Sequence, residues 1–215
     1  MPRLALLALI AVVATATPAA ADVIFSNLGP GDAFNTTTGR AVSGPNTSWG
    51  QSLAIAGAFT LGATSHTLDS AELALRRTGG ADLVNVRLMS DDAGLPGSVL
   101  ASTTVTGLTG TAALTTASFA GSPTLNANTT YWLAADAEGD TDAAWHDNNL
   151  GGVFGFATRA DNVASGQWQT TTLPTPAFRI NATPVPEPAS LALLSLGGLA
   201  LGLRRPHHQA ARTLG

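Results

Sequence analysis

The middle of this chain is built from short runs in which apolar and polar residues alternate, separated by clusters of turn-forming residues. In the segment 83–88, for example, Val84, Val86 and Leu88 share one parity, so a strand would place all three on one face. No convincing amphipathic helix interrupts these runs. We therefore predict an all-β fold for residues 22–184, a single β-sandwich or jelly-roll-like domain. The predicted strands are 23–26, 49–59, 67–77, 83–88, 98–106, 112–120, 131–135, 143–146, 153–158, 167–172 and 177–180.

Residues 1–21 have the order of features found in a secretory signal peptide. Arg3 and the free amine give a weakly positive start, and the apolar run 4–13 that follows is too short to span a bilayer. Ala19 and Ala21 form a small-x-small cleavage pattern. We predict an N-terminal signal helix, export through the Sec translocon and cleavage after Ala21. The alternative is a buried helix at an ordinary N-terminus.

The segment 185–205 combines a Pro-Glu-Pro tripeptide, an apolar run of 15 residues and an arginine pair. These parts are Pro186, Glu187 and Pro188, then residues 189–203, then Arg204 and Arg205. As a helix the run spans roughly 22 Å, less than the ~30 Å hydrocarbon core of a bilayer. It can still insert as a transmembrane helix where the bilayer thins locally. The arginine pair and a tail, 206–215, then stay in the cytoplasm.

This three-part segment resembles the PEP-CTERM sorting signal of Gram-negative bacteria. The resemblance implies that the helix tethers the protein to the inner membrane only transiently. It implies that an exosortase, a membrane transpeptidase, recognises and cleaves the chain near Pro186, Glu187 and Pro188. The protein would then reach the cell surface or the extracellular matrix. A host that makes exopolysaccharide is also implied, so exopolysaccharide becomes a candidate partner.

The mature region resembles a second family, the exported domain known as choice-of-anchor R. Four pieces carry the resemblance: an early Trp-Gly-Gln, a Gly/Pro turn between two strands, a Tyr-Trp-Leu strand and a closing Pro-Ala-Phe-Arg. They occupy residues 49–51, 88–100, 125–133 and 176–179. The family implies an exported, β-rich domain that occurs with different C-terminal anchors, and it implies no reaction.

Composition excludes several classes of function for the mature region, 22–185. Six arginines stand against thirteen acidic residues, which leaves a net charge of −7, and there is no Lys or Cys. An acidic domain is unsuited to nucleic acid. The missing Cys excludes a cysteine nucleophile and cysteine-ligated zinc, and the missing Lys excludes Walker-A and Schiff-base chemistry.

The segment 136–149 is the densest source of oxygen ligands. Its candidate calcium ligands are Asp136, Glu138, Asp140, Asp142, Asp147, Asn148 and Asn149. Calcium takes six to eight oxygens from a flexible loop, but Thr141 stands where an EF-hand loop needs glycine. We expect a solvated hairpin turn, with Ca²⁺ as the alternative, and no resident metal or other cofactor.

Four tryptophans raise the alternative of a carbohydrate-binding module, because an indole can stack on a sugar ring. Trp132, between Tyr131 and Leu133, is expected in the core or on its opposite face. Trp145 and Trp168 lie in polar stretches, so we expect them to be exposed and treat them as the candidate glycan contacts.

The sequence offers little support for an enzyme. The mature region has no G-x-S-x-G motif, and its only histidines, His66 and His146, lie in no known triad motif. Paired carboxylates would suit a glycoside hydrolase, but Glu72 falls within a predicted strand. We predict no catalytic residues and a non-enzymatic exported protein, with a carbohydrate-binding module as the alternative and a glycoside hydrolase after it.

Overall fold

The computed structural model describes residues 20–121, 123–151, 155–161 and 166–185. Within these ranges the chain forms strands and no helix, which confirms the all-β prediction. The strands are β1 (Asp22–Ser26), β2 (Gly39–Ser43), β3 (Leu53–Thr60), β4 (His66–Gly79), β5 (Val84–Asp92), β6 (Leu95–Val105), β7 (Ala113–Ser118), β8 (Thr124–Leu125), β9 (Thr130–Asp136), β10 (Asp142–His146), β11 (Phe156–Ala160), β12 (Gln169–Thr170) and β13 (Phe178–Pro184).

The two predicted terminal helices lie outside the described residues. Across the described ranges, the structure has no helix long and apolar enough to cross a membrane. The first compact unit of the chain ends at Pro184, and a second unit, Val185–Gly215, follows it.

The strands form one curled antiparallel sheet. Its main path runs in the order β1-β13-β4-β10-β2-β3-β9-β5-β6. From this path β7 and β8 branch off by pairing with β4, and β11 pairs with both β3 and β12. Neighbours in the sheet are often distant in the sequence, so long-range pairing holds the fold together and the hairpin β5–β6 is a local exception.

One face of the sheet encloses the main core. Val84, Val86 and Leu88 on β5 all point into it, as their alternation predicts. Trp145 and Phe178 are also fully buried there, with their ring centroids 5.8 Å apart in a T-shaped arrangement. Burial of these apolar side chains supplies the main stabilisation of a domain that has no disulfide.

A second, smaller apolar cluster covers the opposite face of the sheet around β3, β9 and β11. On β9, Tyr131 and Leu133 belong to the main core, whereas Trp132 and Ala134 belong to this second cluster. The strand is therefore buried on both faces, which explains why its sequence is a continuous apolar run instead of an alternating one.

Two strands escaped prediction, and three begin at least two residues later than predicted: those predicted over 49–59, 153–158 and 167–172. β8 has only two residues, and β2 begins at Gly39, so neither shows an alternating pattern. The predicted strand 49–59 begins only at Leu53, because the Gly50 amide donates to the Thr47 carbonyl and closes a turn.

The Gly/Pro turn that the sequence analysis places between two strands, within 88–100, has only two residues outside the strands. β5 continues to Asp92 and β6 begins at Leu95, so the turn contains Ala93 and Gly94, with φ of 52° and 84°. Two positive φ angles match the turn that suits a two-residue hairpin. The Gly94 amide donates to the Asp91 carboxylate at 3.1 Å, so Asp91 caps the turn.

Candidate functional site

The first and last strands of the domain, β1 and β13, are neighbours in the sheet. β1 begins at Asp22, immediately after the predicted signal cleavage site, and β13 ends at Pro184. Asp22 pairs with Ala182 in the antiparallel β1–β13 ladder, so the start of β1 and the end of β13 lie at the same end of the sheet. Val185, the next residue, is 37% exposed. The chain therefore enters and leaves the domain at one place.

Most of the predicted processing residues lie outside the described ranges, and only Ala21 among them is described. Ala21 is exposed, and cleavage after it stays a prediction. The residues outside are Ala19, Pro186, Glu187, Pro188, Arg204 and Arg205.

Trp145 is a core residue, and the prediction that it is exposed is wrong. Its side chain has 0% exposure, and its Nε1–H donates a 2.8 Å hydrogen bond to the Ala177 carbonyl. The reason is its strand: β10 lies between β2 and β4, well inside the sheet. The polar residues that follow it, His146 and Asp147, are themselves buried and hydrogen-bonded, so local polarity misleads about exposure. Trp145 cannot contact a glycan from this position.

Trp168 is half-buried and already has a partner. The guanidinium carbon of Arg159 lies 5.2 Å from the centroid of its ring, at cation–π distance. Arg159 in turn lies 3.3 Å from a carboxylate oxygen of Asp161. The indole also packs against the second apolar cluster. A glycan contact at Trp168 stays a prediction, with Arg159 covering part of the indole.

The most exposed tryptophan is Trp49, one of the four that could stack on a sugar but not one of the two expected to be exposed. Trp49 has 53% exposure and lines a pocket of about 270 Å³ beside β2, β10 and β4. Arg76, Thr78 and Asp142 also line it, and small residues complete the lining: Gly39, Ala41, Ala143 and Ala144. The signal that marks Trp49 as a loop residue is its position between Ser48 and Gly50, which favours a turn over a strand.

The acidic residues of segment 136–149 bind different partners and do not form one site. Asp136 is bound by Arg87, whose Nε donates to Oδ2 and whose Nη2 donates to Oδ1 at 3.0 Å. Asp147 is buried and bound by Arg40 at 3.2 and 3.0 Å. In the part of the chain that the structure describes, no group of three or more His, Asp or Glu side chains is placed to hold a metal ion.

Ion pairing raises the pKa of two arginines. The hydrogen bond to Asp136 is the main cause for Arg87, and the hydrogen bond to Glu72 is the main cause for Arg179; desolvation opposes both shifts. A raised pKa of a cation stabilises the folded state below the unfolded pKa, and the effect is lost only as pH rises through the folded value. Both arginines therefore stay charged throughout the neutral range.

The two histidines and Glu72 make structural contacts, and the buried Nε2 of His146 is left without a hydrogen-bond partner among the described residues. His146 is buried, with its Nδ1 2.9 Å from the Asn35 carbonyl, so Nδ1 donates there. His66 makes the same kind of contact, at 3.0 Å, with the Thr64 carbonyl. Glu72 lies within β4, as predicted, and is bound by Arg179.

Comparison with known proteins assigns the C-terminal segment. Residues 184–205 match the family described as the PEP-CTERM protein-sorting motif. The match covers 22 of the 215 residues and begins at the last residue of β13. It supports a PEP-CTERM protein: an exported protein that an exosortase recognises and that is processed at the membrane. No curated protein matches the chain.

Proposed function

We propose that the mature domain, residues 22–184, is a non-enzymatic protein of the cell surface or extracellular matrix, delivered by its PEP-CTERM signal. In this proposal the curled sheet is a β-sandwich of the choice-of-anchor R kind. The signal peptide and the sorting helix attach the precursor to the membrane, and both are removed during maturation. The single observation that carries the proposal is the match of the sorting motif to residues 184–205.

The position of the two chain ends supports this maturation path. Asp22 and Ala182 are paired across β1 and β13, so both attachment segments leave from one end of the sheet. A precursor held by both segments therefore need not unfold or thread around the domain. The sorting motif begins at Pro184, which still pairs with His66 of β4, so the domain reaches the motif without a linker.

Several titratable side chains are held in structural contacts, which supports a role without catalysis. A general base or a nucleophile needs a free side chain with its partner in hydrogen-bond reach. Asp136, Asp147 and Glu72 are instead bound by arginines. His146 donates from Nδ1 to a backbone carbonyl, and its Nε2, which has no hydrogen-bond partner among the described residues, is buried away from solvent and so from a substrate. These contacts are those expected of groups that hold strands together.

Mass spectrometry of the protein recovered from its native host, with and without the exosortase, tests the proposal. With the exosortase we expect a mature form that starts at Asp22 and ends near Pro186. Without it we expect a form that retains its C-terminus at Gly215. A mature form that ends at Gly215 in the presence of exosortase would refute the sorting part of the proposal.

Two matched variants sharpen this experiment. Replacing the motif proline, Pro186→Ala, together with Glu187→Ala should leave the precursor uncleaved at the membrane. Pro174→Ala is the control, because Pro174 is an exposed proline of the domain outside the motif. Cleavage that is equally impaired in the control would show that processing depends on the domain and not on the motif.

A further inference from the structure

We infer that the pocket between Trp49 and Arg76 is a binding site for a neutral sugar ring. This inference is independent of the sorting function, because it concerns only contacts within the folded domain. Two observations point to a ligand: the most exposed tryptophan of the described residues, and a cation beside it that has no anionic partner in the described part of the protein.

The exposure of Trp49 has no structural explanation. Its side chain is 53% exposed and contributes to none of the apolar clusters among the described residues. The loop that carries it is nevertheless well held. The Thr47 hydroxyl donates to the Gly44 carbonyl at 3.0 Å and accepts the Trp49 amide at 3.3 Å. The Asn46 amide donates to the Gly139 carbonyl at 2.9 Å. An exposed aromatic ring on an ordered loop is a preorganised stacking surface.

Arg76 is one of two arginines of the mature domain that have no carboxylate partner among the described residues; the other, Arg77, is exposed and does not line the pocket. Four of the six arginines of the mature domain are paired with carboxylates: Arg40, Arg87, Arg159 and Arg179. The side chain of Arg76 makes no hydrogen bond or ion pair within the described residues, and its buried Nε has no acceptor. A guanidinium carries five N–H donors, so an Arg76 without protein partners offers a fork of donors to a ligand.

The pocket has the shape and the polarity that a sugar needs. Ala144 pairs with Arg76 on β4 and with Ala41 on β2, so the row beside the guanidinium consists of small side chains. A ring can approach the sheet closely there. Asp142 contributes a carboxylate, which accepts hydrogen bonds, and it forms no ion pair with Arg76 in the described structure. The volume of about 270 Å³ lies just under the ~300–1,000 Å³ of pockets for drug-sized molecules, as suits one sugar unit.

The choice of a neutral sugar follows from the charges. Arg76 only donates and Asp142, as a carboxylate, only accepts, and the two are not paired with each other. A hydroxyl group both donates and accepts, so a ring that carries several hydroxyls can satisfy both residues. An acidic sugar would meet the Asp142 carboxylate and a domain whose net charge is −7, and both repel an anion. An uncharged ring can stack its apolar face on Trp49 and use its hydroxyl groups to bind Arg76 and Asp142.

An array of neutral hexose and deoxyhexose oligosaccharides, with oligouronates as the acidic comparison, tests the inference on the purified protein. We expect binding to at least one neutral oligosaccharide. Trp49→Ala and Arg76→Met should each weaken that binding by at least about tenfold, which is the usual loss when an anchor side chain is removed from an interface. Trp168→Ala is the matched control and should retain binding within about twofold, because it lies outside the pocket.

The outcomes are distinct. Circular dichroism should show the Trp49→Ala variant fully folded, since the ring supports no core packing. The inference is overturned if no neutral oligosaccharide binds the wild-type protein, if binding survives Trp49→Ala, or if oligouronates bind more tightly. Loss of binding in Trp168→Ala alone would also overturn it and would move the site to the Arg159 side of the sheet. None of these results alters the sorting proposal, which is read from the processed C-terminus.

Discussion

Replacing Trp145 with alanine tests whether this residue belongs to the core. The indole is fully buried, lies 5.8 Å from the ring of Phe178 and donates to the Ala177 carbonyl at 2.8 Å. Removing a large aromatic side chain from a core costs about 3–5 kcal/mol. The Ala177 carbonyl also accepts the Ala74 amide at 3.1 Å, so it stays paired in the variant and the loss comes mainly from packing. We expect the free energy of unfolding to fall by about 4 kcal/mol, a large part of the ~5–15 kcal/mol of a typical domain.

Urea unfolding followed by far-ultraviolet circular dichroism measures this loss. With a slope of about 2 kcal/mol/M, the midpoint should fall by about 2 M. The matched control is Trp49→Ala, because that ring is 53% exposed and its removal should change the free energy by no more than about 0.5 kcal/mol. Equal, small shifts in both variants would refute the assignment of Trp145 to the core, and would restore it as a surface candidate.

Two further predictions concern a backbone contact and a buried ion pair. Gly80→Ala should destabilise the domain by at least about 2 kcal/mol, because φ is 62° and the new Cβ would lie 1.7 Å from the Asp140 carbonyl oxygen. The control is Gly110→Ala, whose new Cβ would have nothing within 4 Å and whose stability should stay within about 1 kcal/mol of wild type. Equal effects in urea unfolding would contradict this. Arg40→Met should lower the free energy of unfolding by about 2–4 kcal/mol, because it leaves the buried Asp147 carboxylate unpaired. Adding Asp147→Leu should restore at least half of that lost stability. A double variant no more stable than the single one would count against the reasoning.

The strands were predictable wherever the local pattern is regular. In β5 the alternation of Val84, Val86 and Leu88 is preserved in the structure as three buried side chains. The hairpin turn at Ala93 and Gly94 was predictable for the same reason, since turn residues act on the chain within a few positions. β2 and β8 were missed because one begins with glycine and the other has two residues, and both form through pairing with distant strands.

The candidate sites were less predictable, because exposure depends on which strands become neighbours. Trp145 follows two alanines and precedes a polar stretch, yet β10 is inserted between β2 and β4 and carries the indole into the core. Trp49 is near the start of a predicted strand, yet its loop leaves it in solvent. The two rings have the same chemistry, and only long-range pairing decides which of them can meet a ligand.

The pairing of the arginines with acidic residues depends on the fold and cannot be read from the composition. The sequence alone gives six arginines against thirteen acids and hence a net charge of −7. It does not say which charges cancel, because the partners are far apart: Arg40 and Asp147 are separated by 107 positions, and Arg87 and Asp136 by 49. Once the sheet has paired these residues, two arginines have no carboxylate partner in the described structure: Arg77, which is exposed, and Arg76, which is half-buried. Arg76 lies in a pocket, beside an exposed indole, in a domain whose overall charge favours an uncharged ligand.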